Sequence, residues 1–309
     1  MLLLREAHML KTLHRSLARS IPESLKVYGS IFHINRGNPF NLEVLVDSWP
    51  EYQTVITRPQ REEMIDDMDH YTNTYHIFTK TPERLPEILE SNDIINWDQI
   101  LTIQGCQQGL NEKIQSVAAS KAVQTDYSKR FLYTTEATLQ LKSSDKRVFG
   151  RSHEATIQNT REFKSELDNY KPTLLDVSHS ELVNNNWKFG KNEKSLRYIK
   201  RCIQNFPGYC LLSAERNPIC WCVLEATCEL RMAFTLTEYQ GRGMMREMMN
   251  AYMKYLQLHE NKSRMERCGE RRHMQDLASW QETHPGWIQV SWQLHTTVTK
   301  GHREILWKK

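Results

Sequence analysis

The chain has 309 residues, of which 39% are hydrophobic and 25% charged, and its formal net charge is +4. This composition is that of an ordinary globular protein long enough for two domains, and the small positive surplus does not indicate a nucleic-acid partner. No stretch approaches the eighteen apolar residues of a membrane span, so no membrane-spanning helix is expected.

The seven cysteines argue against a disulfide framework. Their number is odd, none precedes Cys106, and no pair has the CxxC spacing. A zinc site is equally disfavoured, because the twelve histidines include no HExxH pair. We therefore expect a reducing compartment and no bound metal.

Residues 1–20 form an amphipathic segment. Leu10, Leu13 and Leu17 fall on one helical face, and the basic residues lie off it. One interpretation is a mitochondrial presequence, which would direct the protein to the mitochondrial matrix. The other is the first helix of the folded domain, because Pro22 follows with no linker, and the alternative location is the cytoplasm. One helix can serve both purposes if import does not require cleavage.

Hydrophobic alternation and β-rich composition predict several strands in the first half of the chain. They cover residues 25–34, 42–49, 52–59, 74–80, 95–105 and 130–135. Short turns join the first three, so an antiparallel meander is expected. Helices are predicted at 82–92 and 111–124.

A polar segment at 140–171 is the predicted linker, since it is crowded with charge and nearly lacks aliphatic residues. This boundary defines an N-terminal domain at 1–139, a C-terminal domain at 172–258 and a divergent tail at 259–309.

The C-terminal domain is predicted to begin with two helices, within 178–187 and 196–206. Three strands follow, and a tight turn at Arg216-Asn217 joins the first two. They are expected at 210–215, 218–226 and 228–236.

The loop after the last of these strands carries the strongest chemical signal. Residues 240–245 read Gln-Gly-Arg-Gly-Met-Met and open an amphipathic helix. Gly241 and Gly243 let backbone N–H groups turn toward one point, and the helix start adds its unpaired N–H groups and its dipole. With the charge of Arg242, these features predict a pyrophosphate site. The plainer interpretation is a glycine-containing turn, because neither a Rossmann fingerprint nor a P-loop is present.

Several segments resemble known families. Gln240 and Gly243 match the pyrophosphate-loop pattern of the acetyltransferase superfamily, after a meander like that of its fold. Other segments look like the glycine N-acyltransferase family, and the chain is most similar to the like-protein branch associated with glutamine. They are SLKVYGSIFHINRGNPFN (24–41), DSWPEY (47–52), DHYTNTYHIF (69–78), NNWKFGKNE (185–193) and RYIKRCIQNFP (197–207). The resemblance covers residues 1 to about 258.

The resemblance implies an α+β fold of tandem acetyltransferase-like (GNAT) domains. The N-terminal copy would be degenerate, and the C-terminal copy would lack its usual last strands. The implied activity transfers an acyl group from coenzyme A to the α-amine of glutamine or glycine, with glutamine slightly ahead. Acyl-CoA would be a cosubstrate rather than a permanently bound cofactor. A monomer with no nucleic-acid partner is expected.

The resemblance also implies roles for individual residues. Glu229 is the implied general base for the acceptor amine, and the plainer interpretation is a surface carboxylate or a partner for Arg231. Backbone N–H groups around 232–235 would bind the pantetheine arm and stabilise the oxyanion, helped by an irregular strand. Acyl-CoA binding is assigned to Phe234, Thr235, Gln240, Gly241, Arg242, Gly243, Met244 and Met245. No acyl-enzyme is predicted, because Cys222 and Cys228 have no evident histidine partner.

The family pattern is lost in the tail at 259–309, although 287–294 (WIQVSWQL) alternates like a strand. A fifth strand rebuilt from this segment would favour activity. A disordered tail would favour a catalytically impaired paralogue. A third hypothesis is another acceptor, such as a protein lysine, which would need an open acidic groove that the sequence does not indicate.

Overall fold

The computed structural model describes residues 1–128, 133–134, 170–267, 289–290 and 295–300, with side chains at 1–128 and 170–256. These residues form the predicted mixed α+β fold, with two sheets and helices packed against them. No helix in the described ranges is long and apolar enough to cross a membrane.

The strands and helices of the described residues are numbered in chain order. The strands are β1 (Leu2–Leu4), β2 (Leu42–Val46), β3 (Thr54–Pro59), β4 (Thr74–Thr79), β5 (Leu101–Gln104), β6 (Val123–Ser128), β7 (Tyr133–Thr134), β8 (Lys171–Leu174), β9 (Tyr209–Leu212), β10 (Pro218–Leu224), β11 (Glu229–Thr235), β12 (Gln289–Val290) and β13 (His295–Lys300). The helices are α1 (Ala7–Leu17), α2 (Leu25–Ile34), α3 (Leu85–Leu89), α4 (Leu110–Ser120), α5 (Ser180–Asn186), α6 (Glu193–Asn205) and α7 (Met244–Arg267).

The two sheets repeat one strand pattern. The first has the order β1-β2-β3-β4-β5-β13-β6, and the second has the order β8-β9-β10-β11-β12-β7. In each sheet four antiparallel strands lead to one parallel pair, β4–β5 in the first and β11–β12 in the second. This repetition is what the predicted tandem arrangement requires.

Each sheet also contains a strand from the other half of the chain. β13 lies between β5 and β6, and its pairing with β6 runs from His295 opposite Ser128 to Lys300 opposite Val123. β7 pairs with β12 at the edge of the second sheet. The sequence predicts that the C-terminal copy lacks its usual last strands. In the structure, β12 and β7 follow β11 in the second sheet, at the position of those strands.

Helices pack on both faces of each sheet, and the apolar core lies between the sheet and these helices. Apolar residues of α3 and α4 pack on one face of the first sheet, and those of α1 and α2 on the other. The second sheet lies in the same way between α7 and the pair α5 and α6. Each half therefore buries its own apolar core.

The amphipathic N-terminal segment is built into this core. Leu13 and Leu17 of α1 are fully buried, and they pack beside Val27 and Ile31 of α2. The structure thus agrees with the interpretation of a first domain helix. Removal of α1 would expose this apolar surface to water.

The strand predicted at 25–34 is wrong, because these residues form helix α2. The helix lies between the first sheet and the second half of the chain, and every side chain from Leu25 to Ile31 is buried, including that of Lys26. A helix buried on all sides has no polar face, so its sequence cannot be distinguished from that of a strand by periodicity.

Other boundaries are closer to prediction. β2, β3, β4, β9, β10 and β11 confirm the strands expected in their places, and α7 confirms the helix after the glycines. The helix predicted at 111–124 ends at Ser120, because Ala122 has a φ of 54° and β6 begins at Val123. Most of the predicted linker at 140–171 lies outside the described residues.

The two halves meet closely at Gly29 of α2. A Cβ added to Gly29 would lie 1.9 Å from the carbonyl oxygen of Thr227, which belongs to the turn between β10 and β11. Only a residue without a Cβ permits this approach of helix and turn. Gly29 therefore helps to set how the first half sits against the second.

Replacing Gly29 by alanine should destabilise the protein by about 1–3 kcal/mol, because the new methyl group meets backbone rather than a movable side chain. In an unhindered helix the same change stabilises by up to about 1 kcal/mol. The sign of the change in the free energy of urea unfolding therefore shows whether Gly29 lies as close to Thr227 as described. A variant as stable as the wild type would contradict the close contact.

Candidate active site

Four charged side chains form a buried cluster where the two halves meet. Glu229, at the start of β11, has no exposed surface, and its Oε2 accepts a hydrogen bond from Nζ of Lys26 on α2. The same Nζ lies 3.9 Å from Oε1 of Glu225, and Oε2 of Glu225 lies 3.1 Å from Nη1 of Arg231. This charge cluster (Lys26, Glu225, Glu229 and Arg231) carries two positive and two negative groups, so burial leaves no net charge.

A tight turn brings the two carboxylates together. The N–H of Glu225 donates to the carbonyl of Glu229, and the N–H of Cys228 donates to the carbonyl of Glu225, at 3.0 and 2.9 Å. Cys228 takes a positive φ of 61° to close the turn. Glu225, directly after β10, and Glu229, the first residue of β11, therefore lie on either side of the connection between the two strands. The surface location considered for Glu229 is wrong, because its side chain is buried, and the carboxylate that Arg231 contacts at 3.1 Å is that of Glu225.

The surroundings push the pKa values of the two carboxyl groups apart. Burial raises the pKa of Glu229 to about 7, and the Glu225 carboxylate adds to the rise against the pull of Lys26. Burial also opposes ionisation of Glu225, but Arg231 and Lys26 outweigh it and lower the pKa of that carboxyl to about 2. Near neutral pH, Glu229 can therefore exchange a proton while Glu225 stays a fixed anion.

Strand β11 is irregular just beyond these carboxylates. Arg231 pairs with Val223 and Phe234 pairs with Trp221, so two residues of β11 lie opposite Cys222 alone. One of these two, Met232, has a φ of 56°. This β-bulge turns backbone groups away from the regular ladder, as the role implied for residues 232–235 needs. Phe234 and Thr235 lie directly after the bulge and are half-buried.

Among the residues that the structure describes, one strand pairs with the edge of β11 that faces away from β10. β12 runs parallel to it and pairs at Glu229 and Leu230. In the described part of the chain, no strand pairs with β11 on this edge beyond Leu230. Backbone groups that a bulge turns out of the ladder are ones to which an extended polar chain can bond.

The glycine loop (residues 240–245) lies at the far end of β11. Gly241 and Gly243 have φ values of 76° and 68°, and α7 begins at Met244. The side-chain amide of Gln240 donates to the carbonyl of Thr235 at 2.8 Å, which ties the loop to the end of β11. The loop therefore joins two features, the bulged edge and a helix N-terminus.

The side chains of the loop divide into exposed and core groups. Arg242 is exposed, while Met244 is buried and Met245 packs against the core beneath α7. The methionines thus point away from the exposed side of the loop, where backbone N–H groups and Arg242 remain for an anionic ligand.

A cavity of about 280 Å³ lies between the two halves and reaches the charge cluster. Tyr71 and His76 contribute to its wall from the first half, and Arg197, Tyr198 and Glu225 from the second. Tyr198 donates its hydroxyl to Oε2 of Glu225 at 2.8 Å. Glu225 is thus the member of the charge cluster that lines the cavity, with Glu229 behind it.

Cys228 does have a histidine neighbour, contrary to the sequence-based expectation. Its Sγ lies 3.2 Å from Nε2 of His33 on α2. Burial, aided by Arg36, lowers the pKa of His33 to about 4, so this imidazole is a weak base for a thiol. Burial also raises the pKa of the Cys222 thiol, which makes it less reactive. The described residues contain no group of three or more His, Cys, Asp or Glu side chains placed to hold a metal.

The sequence alone did not single out Lys26, Glu225 or the cavity. Lys26 lies 203 residues from Glu229, in a segment whose pattern predicts a strand. Glu225 carried a readable signal, since it stands four residues before Glu229 across a predicted hairpin turn.

The repeated sheets, with a bulged β11 leading through the glycine loop into α7, place the chain in the class of tandem GNAT-type acyltransferase folds. The family model described as aralkyl acyl-CoA:amino acid N-acyltransferase matches residues 1–207, and the model of its C-terminal region matches residues 209–294. The chain belongs to this family. The match extends past residue 258, where the resemblance noted from sequence ends.

Curated relatives agree over most of the chain. Glycine N-acyltransferase-like protein 1 of Homo sapiens is 52% identical over 256 residues, which are 83% of this chain and 84% of the relative. Glycine N-acyltransferase of Homo sapiens is 46% identical over 250 residues, 79% and 81% of the two chains. An X-ray structure of a Drosophila protein covers 97% of this chain and 99% of its own at a TM-score of 0.58. Its 12% identity shows a shared fold alone.

Proposed function

We propose that the protein is an acyl-CoA-dependent amino-acid N-acyltransferase that acylates the α-amine of glutamine or glycine, with glutamine favoured. The observation that carries this proposal is the buried Glu229, whose pKa is raised to about 7 and which stands at the start of the bulged strand. An amine must lose its proton before it can attack a thioester. A base that titrates near neutral pH is suited to accept that proton.

Three neighbouring features have separate roles in this reaction: the glycine loop, the β11 edge and the charge cluster. The loop binds the pyrophosphate of acyl-CoA, and the backbone of β11 beside the bulge binds the pantetheine arm and the developing oxyanion. The acceptor nitrogen forms a bond to the thioester carbon, and the C–S bond then breaks to release the CoA thiolate.

The Glu225 carboxylate holds the acceptor ammonium near the reacting carbon. A proton passes from the ammonium to Glu225 and from Glu225 to the Glu229 carboxylate, so Glu225 is again an anion and the acceptor is a neutral amine. Lys26 fixes the Glu229 carboxyl in place through its hydrogen bond. The proton returns from Glu229 to the departing thiolate, which completes the cycle with no acyl-enzyme.

An impaired paralogue is the second candidate. This hypothesis rests on the tail at 259–309, whose sequence departs from the family pattern, although β12 stands beside β11 within the segment that would rebuild the fifth strand. A protein lysine as acceptor has less support, because the cavity beside Glu225 is also lined by Arg197 and Arg201. The proposed location is the mitochondrial matrix, with α1 retained after import.

Benzoyl-CoA and phenylacetyl-CoA should raise the melting temperature by several degrees at concentrations well above Kd. Gly243→Asp should abolish the rise, because its carboxylate repels the pyrophosphate and its φ of 68° strains any side chain.

Gly109→Asp is the matched control, since Gly109 also has a positive φ, of 80°, directly before helix α4. This variant should show the same rise in melting temperature as the wild type. A folded wild type whose melting temperature does not change with either thioester would contradict acyl-CoA binding. If Gly243→Asp keeps the rise, the pyrophosphate binds somewhere other than this loop.

A further inference from the structure

We propose that the acceptor amino acid binds as a zwitterion in the cavity between the two halves, with its carboxylate on Arg197 and its ammonium on Glu225. This inference rests on the proposed function and assigns the acceptor site within it. The cavity presents both signs of charge, as a zwitterion requires, and it reaches the charge cluster that holds Glu229.

Arg197 is the cavity arginine that is free to take a new partner. Its neighbour Arg201 is already held, since Nη1 donates to Glu63 at 2.7 Å and Nε and Nη2 donate to the carbonyl of Pro39. Arg197 has only long contacts, 3.5 Å to Asp66 and 3.4 Å to Asp69, and its side chain is 58% exposed. Such exposed pairs are weak, whereas a guanidinium binds a carboxylate through two parallel hydrogen bonds.

Glu225 provides the opposite pole. Its carboxylate lines the cavity and is held rigidly by Tyr198, Thr227 and Arg231. The low pKa of Glu225 keeps it charged while the ammonium is bound. The ammonium is therefore held against the carboxyl pair that removes its proton.

The part of the wall that the first sheet supplies through β4 and β5 suits an acceptor with an uncharged polar side chain. His76 and Gln104 lie opposite each other at the ends of the parallel β4–β5 pair and both line the cavity. The Nδ1 atom of His76 lies 3.2 Å from the hydroxyl of Ser30 and 3.1 Å from that of Thr57. Burial and Lys26 lower the pKa of His76 to about 3, so this wall is polar but neutral. The volume of about 280 Å³ suits a single small metabolite.

Arg197→Met should raise KM for glutamine and glycine roughly 10- to 100-fold, the effect of losing a hydrogen bond between charged groups. KM for benzoyl-CoA and kcat at saturating acceptor should stay within about twofold of the wild type, because Arg197 is not part of the reacting centre. Arg197→Lys should recover part of the loss. Arg84→Met, which removes an arginine that is 68% exposed on another surface, is the matched control.

An acceptor that lacks the carboxylate distinguishes loss of the contact between Arg197 and the carboxylate from general damage to the site. The wild type should prefer glutamine over 4-aminobutanamide, its decarboxylated analogue, by the same 10- to 100-fold in kcat/KM, and Arg197→Met should lose that preference. Retention of the preference in Arg197→Met, or an equal rise in KM for benzoyl-CoA, would overturn the proposal.

Acceptor binding can also be measured without turnover. Glutamine, with or without free CoA, should raise the melting temperature of the wild type but not of Arg197→Met. No glutamine shift in a wild type that is stabilised by benzoyl-CoA would overturn the acceptor site alone. The absence of any benzoyl-CoA shift would instead count against the proposed function.

Discussion

Glu229→Gln should lower kcat/KM by roughly 10²- to 10⁴-fold, the range expected when a general base is removed. Glutamine keeps the shape of the side chain and a hydrogen-bonding oxygen for Lys26, so the fold and the benzoyl-CoA thermal shift should persist. Steady-state rates with benzoyl-CoA and glutamine measure the effect. Glu215→Gln, at an exposed turn of the same half, is the control and should leave the rate unchanged.

The pH profile adds a second signature of this residue. The base must be ionised to accept a proton, so the wild-type kcat/KM should rise with pH through about 7 and then level off. In Glu229→Gln the residual rate should lose this limb. A variant with full activity, or one that keeps the same limb, would show that another group accepts the proton.

Lys26→Met should destabilise the protein by about 3–5 kcal/mol near pH 8, because it removes one partner from a buried ionic network. At that pH the wild type keeps both carboxyl groups ionised, whereas the variant has Arg231 as their single countercharge in the charge cluster, so Glu229 must either stay ionised without Lys26 or take up a proton. The loss should be smaller at pH 6. Without Lys26 the pKa of Glu229 rises further, and uptake of a proton by Glu229 then relieves the unbalanced charge.

Urea unfolding at pH 6 and pH 8 measures this difference. Lys11→Met, which replaces an exposed lysine of α1, should change the free energy of unfolding by no more than about 0.5 kcal/mol at either pH. A Lys26→Met variant with wild-type stability at pH 8 would mean that the cluster is not held together as described.

The sequence predicted local features well and contacts between the halves poorly. The alternation in β9, β10 and β11 and the glycines before α7 depend on neighbours within a few residues, so pattern alone located them. The pairs Lys26–Glu229 and His33–Cys228 are separated by 203 and 195 residues. No sequence pattern predicts such a contact, since the two side chains are brought together by the packing of the two halves.

The buried helix shows a second limit. α2 has no polar face because both halves cover it, so its composition resembled that of a strand. That error hid Lys26, since a lysine on a half-exposed strand would be expected to face water. The contribution of the first half to the candidate site thus became visible only once the helix was placed.

The position of β13 between β5 and β6 also affects how the protein is made. The ribosome adds residues in order, so β5 and β6 emerge long before His295. Until β13 arrives, the edges of these two strands lack their partner, and such edges can pair with other chains. The first sheet is therefore completed only after residues 295–300 have been made, and a chaperone that shields this gap until then would raise the yield of folded protein.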